Sequence, residues 1–323
     1  MAAAIASDRP SNAQSYTWEG FQCSYEIVES PSESSQDANS PVLLLIHPIG
    51  VGLSRTFWDR FLAAWQTEGT PLTVYNPDLL GCGDSDIPDR LTLTEEWAAQ
   101  LWQLIETKIQ RPVVLVVQGA LLPVGLELWT IADTQGKGDR IKAMVLSGPP
   151  AWRVMTTIVS DRQKRWLWNG FFHSFIGALF FRYARTEKFL RNFSAKQLFA
   201  NAEDVDREWL DMTRAGSRDM ETRHAVFSFL ARYWQKGYGD RMKQCPIPVL
   251  SLFGDAASSI SNNGKGESPE DRVKTYADVF PQGRSQSLPG RNVLPYESTT
   301  EFTNALLQFL RDQDIVSSQP KNA

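Results

Sequence analysis

The residues best suited to nucleophilic catalysis lie in two polar stretches of the chain. One stretch holds Cys82, Asp84 and Ser85, and the other begins at Asp255 and continues with serines at 258 and 259. A serine or cysteine attacks a carbonyl group efficiently only when a neighbouring base, most often a histidine, activates it. These residue types therefore point to acyl-transfer chemistry, provided that a histidine reaches one of them.

The chain has three histidines, His47, His173 and His224, and none of them lies beyond position 224. No histidine is close in sequence to Cys82, which favours a buried, inert thiol over a nucleophile. For Asp255 the alternatives are an acid displaced from its usual place and a turn residue that caps its own loop.

Composition excludes several other functions. The net charge is −4, which does not favour a nucleic-acid partner. The three cysteines have no metal-ligand or disulfide spacing, so we predict no metal and no cofactor, and we expect a reducing, cytoplasmic location. We see neither a secretory signal in residues 1–14 nor an apolar run long enough to span a membrane.

The elements that would position these residues alternate between strands and helices. Short, almost wholly apolar runs predict strands that are buried on both faces, as in parallel sheets. These runs are 42–46, 72–75, 113–117, 143–146 and 249–253. Apolar residues at helical spacing predict helices at 95–109, 121–132, 269–280 and 302–310. One or two strands at the edge of the sheet are predicted before them, at 16–28. The pattern predicts an α/β fold with a mostly parallel, doubly wound sheet.

The alternation is interrupted once, by a mostly helical stretch between two core strands. We therefore predict a core in two parts, residues 15–148 and 246–312, with a helical cap inserted at 149–245. Residues 1–14 and 313–323 are predicted to be flexible tails, and residues 29–40 an exposed loop.

Three loops carry a family resemblance. His47-Pro48-Ile49-Gly50 follows the first apolar strand, Asp78-Leu79-Leu80-Gly81-Cys82-Gly83-Asp84-Ser85 follows the second, and Leu288 to Glu297 precedes the last helix. In this order and spacing they resemble the loops of the α/β-hydrolase superfamily. The resemblance covers about residues 20–312 and implies a hydrolase fold with a helical cap.

The resemblance also implies where a catalytic triad would lie, and those positions hold apolar residues. The elbow that reads Gly-x-Ser-x-Gly in active relatives reads Gln118 to Leu122 here, which puts Ala120 at the nucleophile position. Val293 stands at the histidine position and Ala257 at the acid position. We predict that the standard triad is lost and only these vestigial positions remain.

A ligand pocket is still expected where these loops meet. Its predicted lining is His47, Ile49, Gly50, Gln118, Gly119, Ala120, Leu121 and Val293. His47 is expected to hold its loop by hydrogen bonds more than to contact a ligand. Gln118 can either bind a ligand or satisfy backbone groups in the turn.

The most unusual segment is the aromatic stretch from Trp166 to Phe181. Basic residues precede and follow it, and it is too short to span a bilayer. Two interpretations remain open: a cap helix that packs its aromatic side chains over the pocket, or an interfacial helix that contacts a membrane surface.

These observations favour a catalytically degenerate protein of the α/β-hydrolase fold. It would bind a small apolar or ester-like ligand, a protein partner or a membrane surface. The alternative is a genuine esterase-like hydrolase with a displaced catalytic apparatus. Its candidate residues are Cys82, Asp84, Ser85, Asp255 and Ser258 or Ser259. The stretches Gln118–Pro123 and Gly290–Glu297 also resemble a divergent subgroup from photosynthetic organisms, which implies a context and not a reaction.

Overall fold

A single sheet organises the part of the chain that the computed structural model describes, residues 13–30, 40–68 and 72–316. The eight strands lie in the order β1-β2-β4-β3-β5-β6-β7-β8. They are β1 (Gln14–Trp18), β2 (Phe21–Val28), β3 (Val42–Ile46), β4 (Val74–Pro77), β5 (Val113–Gln118), β6 (Ile141–Ser147), β7 (Val249–Gly254) and β8 (Gly283–Leu288). β1 and β2 pair antiparallel at one edge, and β4, β3, β5, β6, β7 and β8 run parallel. The predicted mostly parallel, doubly wound sheet is confirmed.

Helices follow most of the parallel strands. Those of the core are α1 (Asp59–Thr67), α2 (Thr94–Leu104), α3 (Leu122–Thr134), α11 (Pro269–Val279), α12 (Leu294–Glu297) and α13 (Thr299–Asp312). Those between β6 and β7 are α4 (Trp152–Thr156), α5 (Asp161–Arg165), α6 (Phe175–Ala184), α7 (Glu187–Gln197), α8 (Arg207–Gly216), α9 (Arg223–Leu230) and α10 (Gly239–Gln244). We call residues 149–245 the helical insertion.

The central strands are buried on both faces, which explains their uninterrupted apolar sequences. Every residue of β3 is fully buried, with alternate side chains in two separate hydrophobic clusters. Val42, Leu44 and Ile46 face one layer of helices, whereas Leu43 and Leu45 face the other. Helices that cover both faces of a parallel sheet are what this arrangement requires.

The ends of the chain differ in part from the predicted tails. Gln14 is the first residue of β1, and residues 313–316 fold back on α13, where Val316 is buried. The apolar Val316 side chain packs against the core, which accounts for this turn. Residues 1–12 and 317–323, and 31–39 of the predicted loop, lie outside the described residues.

The loop after β4 is fixed by one buried carboxylate. Asp78 accepts hydrogen bonds from the backbone nitrogen atoms of Arg55 (2.8 Å) and Asp84 (2.9 Å), and it forms an ion pair with the Arg55 guanidinium. Gly83 has φ +55°, and a Cβ atom there would lie 2.2 Å from the Asp78 carboxylate. The glycine-rich sequence of this loop is therefore required by its close approach to Asp78.

The aromatic stretch is not one helix, contrary to the sequence-based expectation. A wide helical turn covers Trp166–Phe172 and ends at His173. The next helix, α6, begins at Phe175 after the capping residue Ser174. The Ser174 hydroxyl accepts a hydrogen bond from the Gly177 nitrogen (3.4 Å). A Cβ atom on Gly177 would lie 2.3 Å from the Phe172 carbonyl oxygen, so glycine allows the sharp turn.

Candidate functional site

A cavity of about 520 Å³ lies between the carboxyl ends of the parallel strands and the helical insertion. Its floor is built from residues that follow successive strands: Ile49 after β3, Ala120 after β5, Ala151 after β6, Ser258 after β7 and Val293 after β8. Open α/β sheets bind ligands at this edge. The cavity is therefore the candidate functional site.

The turn after β5 corrects the predicted position of the elbow by one residue. A nucleophile elbow is a strained strand-to-helix turn, and here the left-handed backbone conformation falls on Gly119 (φ +62°), not on Ala120. The apex is thus Gly119. A Cβ atom there would have no neighbour within 4 Å, so the site has room for a side chain that the sequence does not supply. Neither glycine nor alanine carries a nucleophilic atom.

The two partner positions of the triad hold no titratable groups. Val293 is 3% exposed, lines the cavity and directly precedes α12. Ala257 is buried and its nitrogen donates a hydrogen bond to Gly254. A valine can neither accept a proton nor orient a nucleophile, so general-base catalysis has no group at this position.

The described lining of the cavity offers no acid or base of another kind. Among the described residues that line the cavity there is no histidine, cysteine, aspartate or glutamate. The serines at 194, 258, 259 and 261 line it without a base beside them in that lining. Serine is a weak nucleophile unless a base activates it.

Cys82, Ser85 and Asp255, the candidates for a displaced catalytic group, lie outside the cavity. The Cys82 thiol is buried, and burial raises its pKa far above the usual range. The Ser85 hydroxyl donates to the Asp78 carbonyl oxygen (2.9 Å) and accepts from the Ser24 nitrogen (2.9 Å). Asp255 is exposed and accepts a hydrogen bond from the Gly290 nitrogen (3.1 Å). None of the three lines the cavity, so they are not brought together at this site.

His47 also lies outside the lining, although we expected it in the pocket. Its Nε2 accepts a hydrogen bond from the Leu79 nitrogen (3.0 Å), and its Nδ1 lies 2.9 Å from the Pro48 carbonyl oxygen. It is fully buried, and burial lowers its pKa. His47 thus ties the loop after β3 to the loop after β4, which leaves no ring nitrogen for a ligand. The other predicted pocket residues, Ile49, Gly50, Gln118, Gly119, Ala120, Leu121 and Val293, all line the cavity.

The core side of the cavity carries a connected polar arc. The Gln118 Nε2 donates to the Asn292 carbonyl oxygen (2.7 Å), and the Asn292 Nδ2 donates to the Ser258 carbonyl oxygen (3.0 Å). The buried Gln118 Oε1 has no hydrogen-bond partner in the described part of the chain. Gln118 therefore satisfies a backbone group with its Nε2, as one sequence interpretation expected, and a contact with a ligand stays a prediction.

Arg272 extends this arc and was missed by the sequence analysis. It lines the cavity and is 2% exposed. Its Nη2 donates to the Gly264 carbonyl oxygen (3.4 Å), and within the described residues its Nε has no hydrogen-bond partner. Burial lowers its pKa, and the Glu267 carboxylate opposes that shift. The Glu267 oxygens instead accept hydrogen bonds from the backbone nitrogens of Trp152 and Arg153 (both 2.8 Å).

The helical insertion forms the opposite wall, which is mostly apolar but also includes Ser194, Thr213, Arg232 and Gln235. Its lining includes Phe180, Phe189, Leu190, Phe193 and Phe227. Phe189 and Phe193 are stacked with ring centroids 5.9 Å apart, and Phe193 is partly exposed at the rim. The cavity therefore has one polar end on the core and a long aromatic wall on the insertion.

Comparison with known proteins agrees with this geometry. The model of the alpha/beta hydrolase family matches residues 43–305. A thermophilic esterase from Thermogutta terrifontis is similar in structure (TM-score 0.65, 18% identity), with 93% of this chain and 97% of that chain covered. An enol-lactonase from Burkholderia xenovorans LB400 has a TM-score of 0.65 and 16% identity, with 92% of this chain and 99% of that chain covered.

A serine hydrolase involved in carbazole degradation has a TM-score of 0.68 and 16% identity over 92% of this chain and 98% of that chain. A search of curated protein sequences finds no match. The chain belongs to the α/β-hydrolase family. At these identities the similar structures show the fold alone, so the reaction must be argued from the residues in the cavity.

Proposed function

We propose that this chain is a catalytically degenerate member of its family that binds an amphipathic ligand. The observation that carries the proposal is the cavity lining, which has a mostly apolar wall, a polar end on the core and, among the described residues, no histidine or carboxylate. The helical insertion would act as a cap over this ligand. A displaced nucleophile is disfavoured because Cys82, Ser85 and Asp255 lie outside the lining, and the serines at 258 and 259 have no histidine or carboxylate beside them in it.

The chemistry of the two ends defines the ligand class. The aromatic wall suits an acyl chain or another extended apolar group, since burial of apolar surface stabilises binding by about 25 cal/mol per Å². At the other end the Arg272 guanidinium lies in a low-dielectric environment without a full set of hydrogen-bond acceptors. A buried cation of this kind is stabilised by an anion, so a carboxylate head group fits the polar end.

A fluorescence titration with cis-parinaric acid tests this proposal. We expect one equivalent to bind to the wild-type protein, and the variant Ala120→Trp to lose most of that binding because the indole fills the cavity floor. The matched control is Ala215→Trp, at an exposed position of α8. Equal binding by wild type and Ala120→Trp, with both proteins folded, would show that the probe binds elsewhere.

A second candidate function is attachment to an anionic membrane surface. Phe175, Ile176, Leu179 and Tyr183 lie on one face of α6 and are 47–76% exposed. Trp166 is 66% exposed nearby in sequence, and Arg162, Arg165 and Arg182 are exposed around them. Exposed aromatic residues with basic neighbours favour lipid headgroups. Other aromatic residues of this stretch pack inside the insertion, where Trp168, Phe172 and Phe181 share one buried cluster with Phe227.

Flotation with liposomes that contain phosphatidylserine tests the membrane candidate. We expect the wild-type protein to float and the triple variant Phe175→Ser, Ile176→Ser, Leu179→Ser to remain at the bottom. Ile158→Ser is the control, since Ile158 is 74% exposed outside α6. Equal flotation of the triple variant and the wild type would rule out α6 as the contact.

A further inference from the structure

The two histidines of the helical insertion meet an aspartate of the core. His173 follows the wide aromatic turn, His224 lies in the first turn of α9, and Asp89 belongs to the loop between β4 and α2. The His224 Nε2 is 3.0 Å from the Asp89 Oδ1, and the His173 Nε2 is 3.6 Å from the same oxygen. One ligand atom from each of the three residues lies within 4.8 Å of the other two.

A fourth donor lies beside them. The Glu221 Oε2 is 3.0 Å from the His224 Nε2, and the Arg223 guanidinium holds the other Glu221 oxygen at 2.5 Å. The Glu221 carboxylate thus lies beside the cluster of His173, His224 and Asp89 and contacts it through His224. The prediction of no metal rested on the spacing of the cysteines alone, and positions 89, 173 and 224 are too far apart in sequence to form a recognisable ligand motif.

We infer that these residues form a binding site for a divalent transition metal ion. In a tetrahedral site with bonds of about 2.0–2.1 Å the ligand atoms are about 3.3 Å apart. Two of the three separations, 3.0 and 3.6 Å, lie on either side of that value, and all three lie within 4.8 Å. Paired imidazole and carboxylate ligands suit Zn²⁺, Co²⁺ or Ni²⁺, whereas Mg²⁺ and Ca²⁺ prefer oxygen alone.

The site is accessible to an ion from solvent. His224 is buried, while the side chains of His173 and Asp89 are 48% and 74% exposed. His173 is also stacked on Trp168, with ring centroids 5.4 Å apart. A bound ion would therefore join the wide aromatic turn and α9 to the core loop, and it would hold this part of the insertion in place. The inference does not depend on the proposed ligand function.

The test is a titration of the chelator-treated, untagged protein with Co²⁺, followed by its visible absorption bands, and with Zn²⁺ by calorimetry. We expect one equivalent of either ion to bind, and Zn²⁺ to raise the thermal midpoint, whereas Mg²⁺ does not. In His173→Ala and Asp89→Asn we expect the affinity to fall by more than about ten-fold, since even outer-shell partners change metal affinity that much.

Both variants alter exposed side chains, and circular dichroism verifies that they fold. The matched control is Asp240→Asn, whose carboxylate is 90% exposed on the same insertion, and its metal affinity should equal that of the wild type. No stoichiometric binding, or equal binding by wild type, His173→Ala and Asp89→Asn, would show an adventitious ion only and would overturn the inference.

Discussion

Arg272→Met is expected to abolish the preference of the cavity for an acid over its ester. The wild-type protein should bind cis-parinaric acid at least about ten-fold more tightly than the methyl ester of that acid, because hydrogen bonds to charged groups contribute about 1.5–3 kcal/mol. The variant keeps the apolar wall and should bind both probes alike. The measurement is a pair of fluorescence titrations for each protein.

The same substitution should stabilise the ligand-free protein. Arg272 is 2% exposed with an unpartnered Nε in the described structure, so methionine removes a desolvated charge and keeps most of the packing. Replacement of buried charged groups by apolar residues often stabilises a protein by about 1–4 kcal/mol. Urea unfolding measures this free energy, and Arg153→Met, at an exposed arginine of α4, is the control. A variant that is less stable and still prefers the acid would refute the role assigned to Arg272.

Asp78→Ala is expected to lower the free energy of unfolding by about 3–5 kcal/mol, since it removes the buried partner of a partly buried cation. The side chain of Asp78 is 1% exposed and that of Arg55 is 11% exposed. The substitution also removes the acceptor for two backbone nitrogens, those of Arg55 and Asp84. Urea unfolding at neutral pH measures the change.

Asp84→Ala is the matched control for that loss. Asp84 forms an ion pair with the same guanidinium, but its side chain is 68% exposed. Exposed ion pairs contribute about 0–1 kcal/mol, so this variant should remain close to the wild type. Equal losses in the two variants would mean that burial of Asp78 does not determine the stability of the loop.

The fold could be predicted from the sequence because its signals are local. The uninterrupted apolar run at 42–46 indicates burial on both faces, and the glycines of the Asp78 loop indicate that its backbone packs closely against side chains. The bounds were less exact: the strand predicted at 72–75 is β4 at 74–77. The predicted start is two residues too early because Leu72 and Thr73 are buried as well. Burial alone therefore does not mark the first residue that pairs with a neighbouring strand.

The candidate site was predictable only where it follows the strands. Gln118 to Leu121 and Val293 were found because a strand end places them at the sheet edge. The elbow was assigned to Ala120 because the backbone angle that selects Gly119 is not visible in a one-letter sequence. Arg272 was missed because nothing in its helix distinguishes a buried arginine from an exposed one. The contact of Asp89, His173 and His224 could not be predicted because it depends on how the insertion folds over the core.

The most direct test of binding without catalysis uses one compound as both ligand and substrate, the p-nitrophenyl ester of a long-chain fatty acid. We expect this ester to displace bound cis-parinaric acid from the cavity and to release p-nitrophenol no faster than it does with heat-denatured protein. Displacement without turnover is the behaviour of a binding protein whose elbow residue is Gly119. Turnover by the folded protein that is lost in Ser258→Ala or Ser259→Ala would contradict the account and identify a displaced nucleophile.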